Sequence, residues 1–176
     1  MKFASAPQVV VGFNGSPAGH DALRLGVVLA RWAGAELVVA CVFPPESLAG
    51  VPFEPRATRV AAGDHRIFVR QDAEAVLSEA REKLPRDMDF TLEALEGDSP
   101  VRALRRAALS RPADLLVVGA THRGRLKQRL RRTMAQALLQ DAPIALAVAP
   151  RGFAETDEAH VRSRSGAGAR SMPRAA

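Results

Sequence analysis

Residues 9–17 read VVVGFNGSP. A run of β-branched residues that ends in glycine and then Ser-Pro is typical of a strand that turns directly into a helix, because serine caps a helix N-terminus and proline fits its first position. We therefore predict a strand over Val9–Phe13 and a helix from Pro17 to a C-terminal cap at Gly34. Apolar residues at helical spacing predict the buried stripe of this helix: Leu25, Val28, Leu29 and Trp32.

The same alternation of strand and helix continues along the chain. Leu37–Val42 and Leu115–Val118 are continuously apolar, as in parallel strands buried on both faces. Met88–Ala94 alternates between apolar and polar residues, which favours a strand near an edge. Ile144–Val148 is the last predicted strand. Helical stripes separate these strands, with predicted inward residues Ala73, Val76, Leu77, Ala80 and Leu84, then Val101, Leu104 and Ala108, then Met134, Ala137 and Leu138. The pattern predicts an α/β fold with a parallel sheet and helices on both faces.

The composition suits one domain. The chain has 176 residues, 47% of them apolar, and no apolar run approaches the ~18 residues of a membrane helix. Its N-terminus resembles a first strand rather than a secretory signal, so we expect a cytoplasmic protein without a membrane partner. The one cysteine, Cys41, lies in an apolar run and is expected to be a buried hydrophobe.

The net charge of +6 is local. Residues 123–132 carry six cations, namely Arg123, Arg125, Lys127, Arg129, Arg131 and Arg132, so the rest of the chain sums to about zero. The overall basicity is therefore poor evidence for nucleic-acid binding.

The domain organisation follows from where the apolar periodicity begins and ends. We expect an N-terminal extension over residues 1–6, one domain over 7–150, and a disordered basic tail over 151–176 that is poor in large apolar groups. A long loop rich in proline over residues 44–64 interrupts the domain.

Several classes of site are excluded by their missing motifs. The sequence has no Gly-x4-Gly-Lys-Ser/Thr phosphate loop, no Gly-x-Gly-x-x-Gly after the first strand, no Gly-x-Ser-x-Gly nucleophile turn and no metal-ligand spacing. What remains are glycines and small residues after strands one and four. Ligands of doubly wound sheets bind at such carboxyl ends, where the strand order reverses. A helix N-terminus and the cations of residues 123–132 would favour an anion there.

Three segments together resemble the universal stress protein family. They are residues 9–43 (VVVGFNGSPAGHDALRLGVVLARWAGAELVVACVF), 96–109 (EGDSPVRALRRAAL) and 114–150 (DLLVVGATHRGRLKQRLRRTMAQALLQDAPIALAVAP). The resemblance covers residues 7–150. It implies a doubly wound, five-stranded parallel sheet in order 3-2-1-4-5, a three-layer sandwich of the adenine-nucleotide-hydrolase-like kind.

Family members that bind ATP carry Gly-x2-Gly-x9-Gly-Ser/Thr after strand four. Here Gly119 and Thr133 match, but His122 and Arg132 replace the second and third glycines, and the usual acid after strand one is Asn14. Added side chains obstruct close backbone approach to phosphate, although Arg132 could itself pair with phosphate. The nucleotide-binding candidates are Phe13, Asn14, Gly15, Val42, Gly119, His122, Arg123, Gly124, Arg132 and Thr133.

The resemblance implies a homodimeric stress-response protein that is not an enzyme. The site is expected to be degenerate, with no required cofactor or metal, or alternatively to bind ATP or AMP in an altered mode. A third hypothesis is an anion or nucleic-acid binder acting through residues 123–132, although nucleic acid is not the expected partner. A protein partner is left open. The expected dimer edge is the last strand, with Ile144, Leu146 and Val148.

Overall fold

The computed structural model describes residues 6–45, 70–111, 113–120, 134–139 and 144–156. Strands and helices alternate in chain order as β1 (Gln8–Gly12), α1 (Pro17–Ala33), β2 (Glu36–Phe43), α2 (Arg70–Lys83), β3 (Phe90–Glu96), α3 (Pro100–Ser110), β4 (Leu115–Gly119), α4 (Met134–Leu139) and β5 (Ala145–Ala149). The predicted elements are confirmed, with their ends shifted by one or two residues.

The five strands form one parallel sheet in the order β3-β2-β1-β4-β5, which confirms the expected fold. The central strand β1 pairs with β2 on one side, where Val10 lies beside Val38, and with β4 on the other, where Val10 lies beside Leu116. The chain moves outward in one direction from β1 to β3 and then returns to add β4 and β5. This reversal opens a crevice beyond the carboxyl ends of β1 and β4.

Two apolar layers cover the two faces of the sheet. One joins the sheet to α1 and α2 and includes Val11, Leu23 and Leu77. The other joins the sheet to α3 and α4 and includes Leu104 and Leu138. Because successive strand residues point to opposite faces, one continuous apolar strand serves both layers.

Helix α1 has the predicted ends but a different buried face. Ser16 caps it by accepting a hydrogen bond from the Gly19 amide at 3.1 Å, and Gly34 ends it in the left-handed conformation with φ 61°. The predicted stripe is wrong, because Trp32 is 87% exposed and Val28 is 37% exposed, while Leu25 and Leu29 are only partly buried. The residues that face the sheet are mostly small: Ala18, Gly19, Ala22, Leu23, Gly26, Val27 and Ala30.

The small residues of α1 permit a close approach to the sheet. A Cβ atom on Gly26 would lie 2.3 Å from Cγ2 of Val11 in β1. Bulky side chains on that face would hold the helix away from the strands, so the larger residues occupy its flanks and its outer surface. The prediction failed because it selected the large apolar residues of α1, whereas this interface buries mostly small ones.

The predicted stripes of α2 and α3 are largely confirmed. Ala73, Leu77 and Ala80 are buried in α2, and Leu104 and Ala108 in α3. Ser99 is the N-cap residue of α3, but its side chain makes no capping hydrogen bond.

The strands β3 and β5 are the two edges of the sheet. The expected edge position of the last strand is thus confirmed. Val148 of β5 is 40% exposed, and Ile144 and Leu146 are partly buried against the α3–α4 layer.

The structure describes six residues past the predicted domain end. Asp21 of α1 is only 3% exposed, and its carboxylate accepts hydrogen bonds from the amides of Gly152 and Ala154, both at 3.0 Å. Residues 153–156 form a helical turn. The predicted disorder is therefore wrong for residues 151–156, because a buried carboxylate on α1 holds this segment. The rest of the predicted tail lies outside the described residues.

Candidate functional site

A cleft opens at the carboxyl ends of β1, β2 and β4, where the strand order reverses. Its walls come from those strand ends, from the first turns of α1 and α3, and from the start of α4. The lining residues in the described part of the chain are Gly12, Phe13, Asn14, Ser16, Ala18, Gly19, Ala40, Val42, Pro100, Leu104, Val118, Gly119 and Met134. The cleft thus lies at the place that the doubly wound topology predicts.

The turn after β1 forms the polar end of this cleft. The Oδ1 atom of Asn14 accepts hydrogen bonds from the Ser16 amide at 3.2 Å and from the Ser16 hydroxyl at 2.6 Å. Gly15 between them has φ 67°, a conformation that favours glycine. The Ser16 hydroxyl also caps α1. One serine therefore fixes both the helix start and the orientation of the asparagine.

Gly119 ends β4 directly against the first turn of α1. A Cβ atom at this position would lie 1.8 Å from the carbonyl oxygen of Ala18 and 2.5 Å from its carbonyl carbon. These are backbone atoms, which cannot rotate away as a side chain can. The glycine predicted as part of a phosphate motif is therefore required by the packing of the fold.

The opposite wall of the cleft is apolar. Val42 is 8% exposed at the end of β2, Leu104 is 2% exposed in α3, and Pro100 and Met134 are partly buried beside them. Leu104 packs onto Gly12, where an added Cβ would lie 2.8 Å from its Cδ1 atom. The cleft thus combines one apolar wall with one polar turn, as small-molecule sites commonly do.

His20 lies on α1 just beyond this turn. Its ring contacts Phe13 edge to face, with centroids 5.1 Å apart, and its Nε2 atom is 3.2 Å from Oε1 of Glu79 on α2. Burial lowers the pKa of His20 below its ordinary value of 6.5, and Lys83 acts in the same direction. The nearby carboxylates of Glu79 and Asp21 raise the pKa of His20 but are outweighed by burial and Lys83.

Cys41 follows Ala40 in β2 and faces the α1–α2 layer. Burial raises the pKa of its thiol to about 12. A thiol with that pKa stays protonated near neutral pH and is a poor nucleophile, in agreement with the expectation of a buried hydrophobe.

The structure brings together the predicted residues that it describes. Phe13, Asn14, Val42 and Gly119 all line the cleft, and Gly15 lies in the turn beside it. His122, Arg123, Gly124, Arg132 and Thr133 lie outside the described residues. Ser16, Pro100, Leu104 and Met134 also line the cleft but were not predicted as lining residues, although a serine cap was predicted at the start of α1. The signal that could have identified such lining residues is a helix that begins directly after a strand, because these helix starts meet at one edge of the sheet.

The side chains of the described ranges include no group of three or more His, Cys, Asp or Glu residues arranged to hold a metal ion. None of the helices within those ranges is long and apolar enough to cross a membrane.

Comparison with protein families gives a match to the universal stress protein family over residues 7–150. The chain belongs to the universal stress protein family. The match spans most of the chain and coincides with the segments that carry the sequence resemblance. No curated protein matches the sequence.

Solved structures of universal stress proteins share the fold. One in complex with cAMP is 22% identical with a TM-score of 0.62, and the alignment covers 84% of this chain and 99% of that one. A family protein from Burkholderia pseudomallei is 22% identical with a TM-score of 0.57, over 84% and 98%. The protein from Archaeoglobus fulgidus in complex with dAMP is 18% identical with a TM-score of 0.53, over 82% and 97%.

Proposed function

We propose that this universal stress protein is a non-catalytic, homodimeric stress-response protein of the cytoplasm whose cleft is a degenerate adenine-nucleotide site. The observation that carries the proposal is the cleft at the strand-order reversal, with an apolar wall and a polar turn. Two universal stress proteins with the same fold were solved in complex with cAMP and dAMP, which supports an adenine nucleotide as the ligand class.

The walls of the cleft support a division between base and phosphate. Val42, Pro100, Leu104 and Met134 offer an apolar surface that suits a nucleobase. Asn14 at the other wall is neutral, so the turn after β1 adds no negative charge that would repel a phosphate.

The proposal of a degenerate site rests on the sequence after β4. Gly119 is explained by its contact with Ala18, so its presence is not evidence for phosphate binding. His122 and Arg132 stand where ATP-binding relatives have glycine. Each would add bulk where backbone amides must approach phosphate closely. We therefore expect weak binding of ATP, with a contribution from the base wall.

Calorimetric titration of ATP into the wild type and into the double variant His122→Gly, Arg132→Gly tests this proposal. We expect tighter binding by the variant, because several backbone hydrogen bonds of about 1 kcal/mol each become available. Low-micromolar binding by the wild type that weakens in the variant would instead make Arg132 a ligand and establish the altered mode. Native mass spectrometry of the purified protein shows independently whether an adenine nucleotide is carried.

If neither protein binds ATP, AMP or cAMP, the nucleotide proposal fails and binding of a protein partner is favoured. The segment 123–132, the basis of the alternative anion or nucleic-acid hypothesis, lies outside the described residues.

The proposed dimer uses the edge strand β5. Its open edge carries the partly exposed Val148 and the half-buried Leu146, and an apolar edge strand is a natural association surface. We expect light scattering at micromolar concentration to give twice the chain mass, and Leu146→Lys to give a monomer. Val28→Lys on the outer surface of α1 is the matched control and should remain dimeric. A monomeric wild type would contradict the proposal.

The assignment of a non-catalytic role is supported by the polar groups of the cleft. In the described lining only Asn14 and Ser16 carry polar side chains, and the Ser16 hydroxyl donates to Asn14 rather than to a base. Sustained turnover of ATP by purified protein, abolished by Ser16→Ala, would contradict this assignment.

A further inference from the structure

We infer that Asn14 is the specificity-determining residue of the cleft, and that its Nδ2 amino group donates a hydrogen bond to a phosphate oxygen of the ligand. The inference rests on the proposed function and goes further by naming the group that the site selects. It predicts that a nucleoside monophosphate is bound in preference to the free nucleoside.

The orientation of the Asn14 amide is fixed by its neighbour. The Ser16 backbone amide can only donate, so the atom at 3.2 Å from it must be the Asn14 oxygen rather than the nitrogen. With the amide so oriented, the Ser16 hydroxyl donates to the same oxygen at 2.6 Å. The amino group of Asn14 therefore points away from Ser16, and it donates to no group in the part of the chain that the structure describes.

The acceptor capacity of this polar turn is largely occupied. Asn14 Oδ1 has two lone pairs and already accepts two hydrogen bonds, both from Ser16. The Ser16 hydroxyl donates its one hydrogen bond to Asn14 and accepts a hydrogen bond from the Gly19 amide. No carboxylate lines the described part of the cleft. The side chains here thus present a free donor without a matching strong acceptor.

This imbalance discriminates between ligand groups. A phosphate oxygen accepts from the Asn14 amino group and needs no acceptor in return. A ribose hydroxyl in the same place would leave its own proton without a side-chain acceptor, which costs binding energy in a desolvated site. The turn therefore favours an acceptor-only, anionic group over a hydroxyl.

The variant Asn14→Asp tests the role of the amino group with little change in shape. A carboxylate keeps an oxygen that accepts from both Ser16 groups, so the turn and the helix cap are retained, but the donor becomes a negatively charged acceptor. Asn14→Ala is the second variant, because alanine removes the amino group without adding charge and without adding another side-chain donor. Gln71→Glu makes the same amide-to-acid change on the exposed start of α2 and controls for net charge.

The measurement is the ratio of AMP to adenosine affinity by calorimetric titration, with melting temperatures as a check on folding. In the wild type and in Gln71→Glu we expect AMP to bind at least about tenfold more tightly, as a charge-assisted hydrogen bond provides. In Asn14→Asp the ratio should fall about ten- to a hundredfold, and in Asn14→Ala about tenfold.

An unchanged ratio in both Asn14 variants overturns the inference while leaving nucleotide binding intact. A wild type that binds adenosine as tightly as AMP also overturns the inference alone. A wild type that binds neither compound overturns the proposed function, and this inference falls with it.

Discussion

The substitution Gly119→Ala would place a methyl group inside the contact between β4 and α1. The added Cβ would lie 1.8 Å from the Ala18 carbonyl oxygen, and Cβ atoms essentially never approach closer than 3.0 Å, so the two elements must separate by about 1.2 Å. The contacting atoms belong to the backbone of the first turn of α1, which also lines the cleft. One methyl group therefore disturbs both the packing and the site.

The expected destabilisation is at the upper end for overpacked cores, about 3 kcal/mol. For a chain of this size each kcal/mol lowers the melting temperature by about 2–4 °C, so the loss should be about 6–12 °C. Thermal unfolding followed by far-ultraviolet circular dichroism measures it. Gly34→Ala is the matched control, because an added Cβ there meets nothing within 4 Å and only the strain of its φ of 61° remains, about 1–2 kcal/mol.

The double variant Gly119→Ala, Ala18→Gly separates a backbone clash from a side-chain clash. The atoms nearest the added Cβ are the oxygen, carbonyl carbon and Cα of Ala18, so removing the Ala18 methyl group should give no rescue. Two results would refute the reasoning: recovery of stability in the double variant, or a Gly119→Ala variant no less stable than Gly34→Ala.

Three further predictions concern α1 and use the same unfolding assay. Asp21→Ala should lower the free energy of unfolding by about 2–3 kcal/mol, because two backbone amides lose a buried charged acceptor. Truncation after Thr156 should cause no measurable loss. Equal stability of Asp21→Ala and wild type would show that Asp21 does not hold residues 151–156. Leu23→Ala should lower the free energy of unfolding by about 2–5 kcal/mol, because Leu23 is a buried core residue, whereas Trp32→Ala should change it by no more than about 0.5 kcal/mol. A larger loss for Trp32→Ala than for Leu23→Ala would support the buried face of α1 that was predicted from the sequence. Stability should decrease as the pH falls below 6.5, because the pKa of His20 is lower in the folded state than in the unfolded state and the unfolded chain takes up its proton first. His20→Gln should flatten this decrease between pH 7 and 5. An unchanged slope of stability against pH in the variant would contradict the stated direction.

The parallel sheet and the position of the cleft could be predicted from the sequence for physical reasons, whereas the order of the strands came from the resemblance to universal stress proteins. A run such as Leu37–Val42 is apolar at every position because both faces of a parallel strand are covered. Turn chemistry then marks where each strand ends, as Gly15 and Ser16 do after β1. Since the ends of parallel strands meet at one edge of the sheet, the site follows from the topology.

Other features depend on distances that the sequence does not contain. The sheet-facing surface of α1 is made of small residues because the helix lies close to β1, and alanine or glycine gives no periodic signal strong enough to compete with Val28 and Trp32. The carboxylate of Asp21 is separated from Gly152 by 131 positions, so no local pattern links them. The apolar wall at Leu104 likewise comes from a helix face that the sequence assigned only to the core.

The exposure of Trp32 has a practical consequence for the optical study of this protein. It is the only tryptophan, and the chain has no tyrosine, so fluorescence excited selectively at indole comes from one side chain. That indole is already 87% exposed in the folded state, so its emission colour should shift little on unfolding. An unchanged tryptophan emission during unfolding would therefore give no information about the core. The same emission should respond to a molecule that binds to the outer surface of α1.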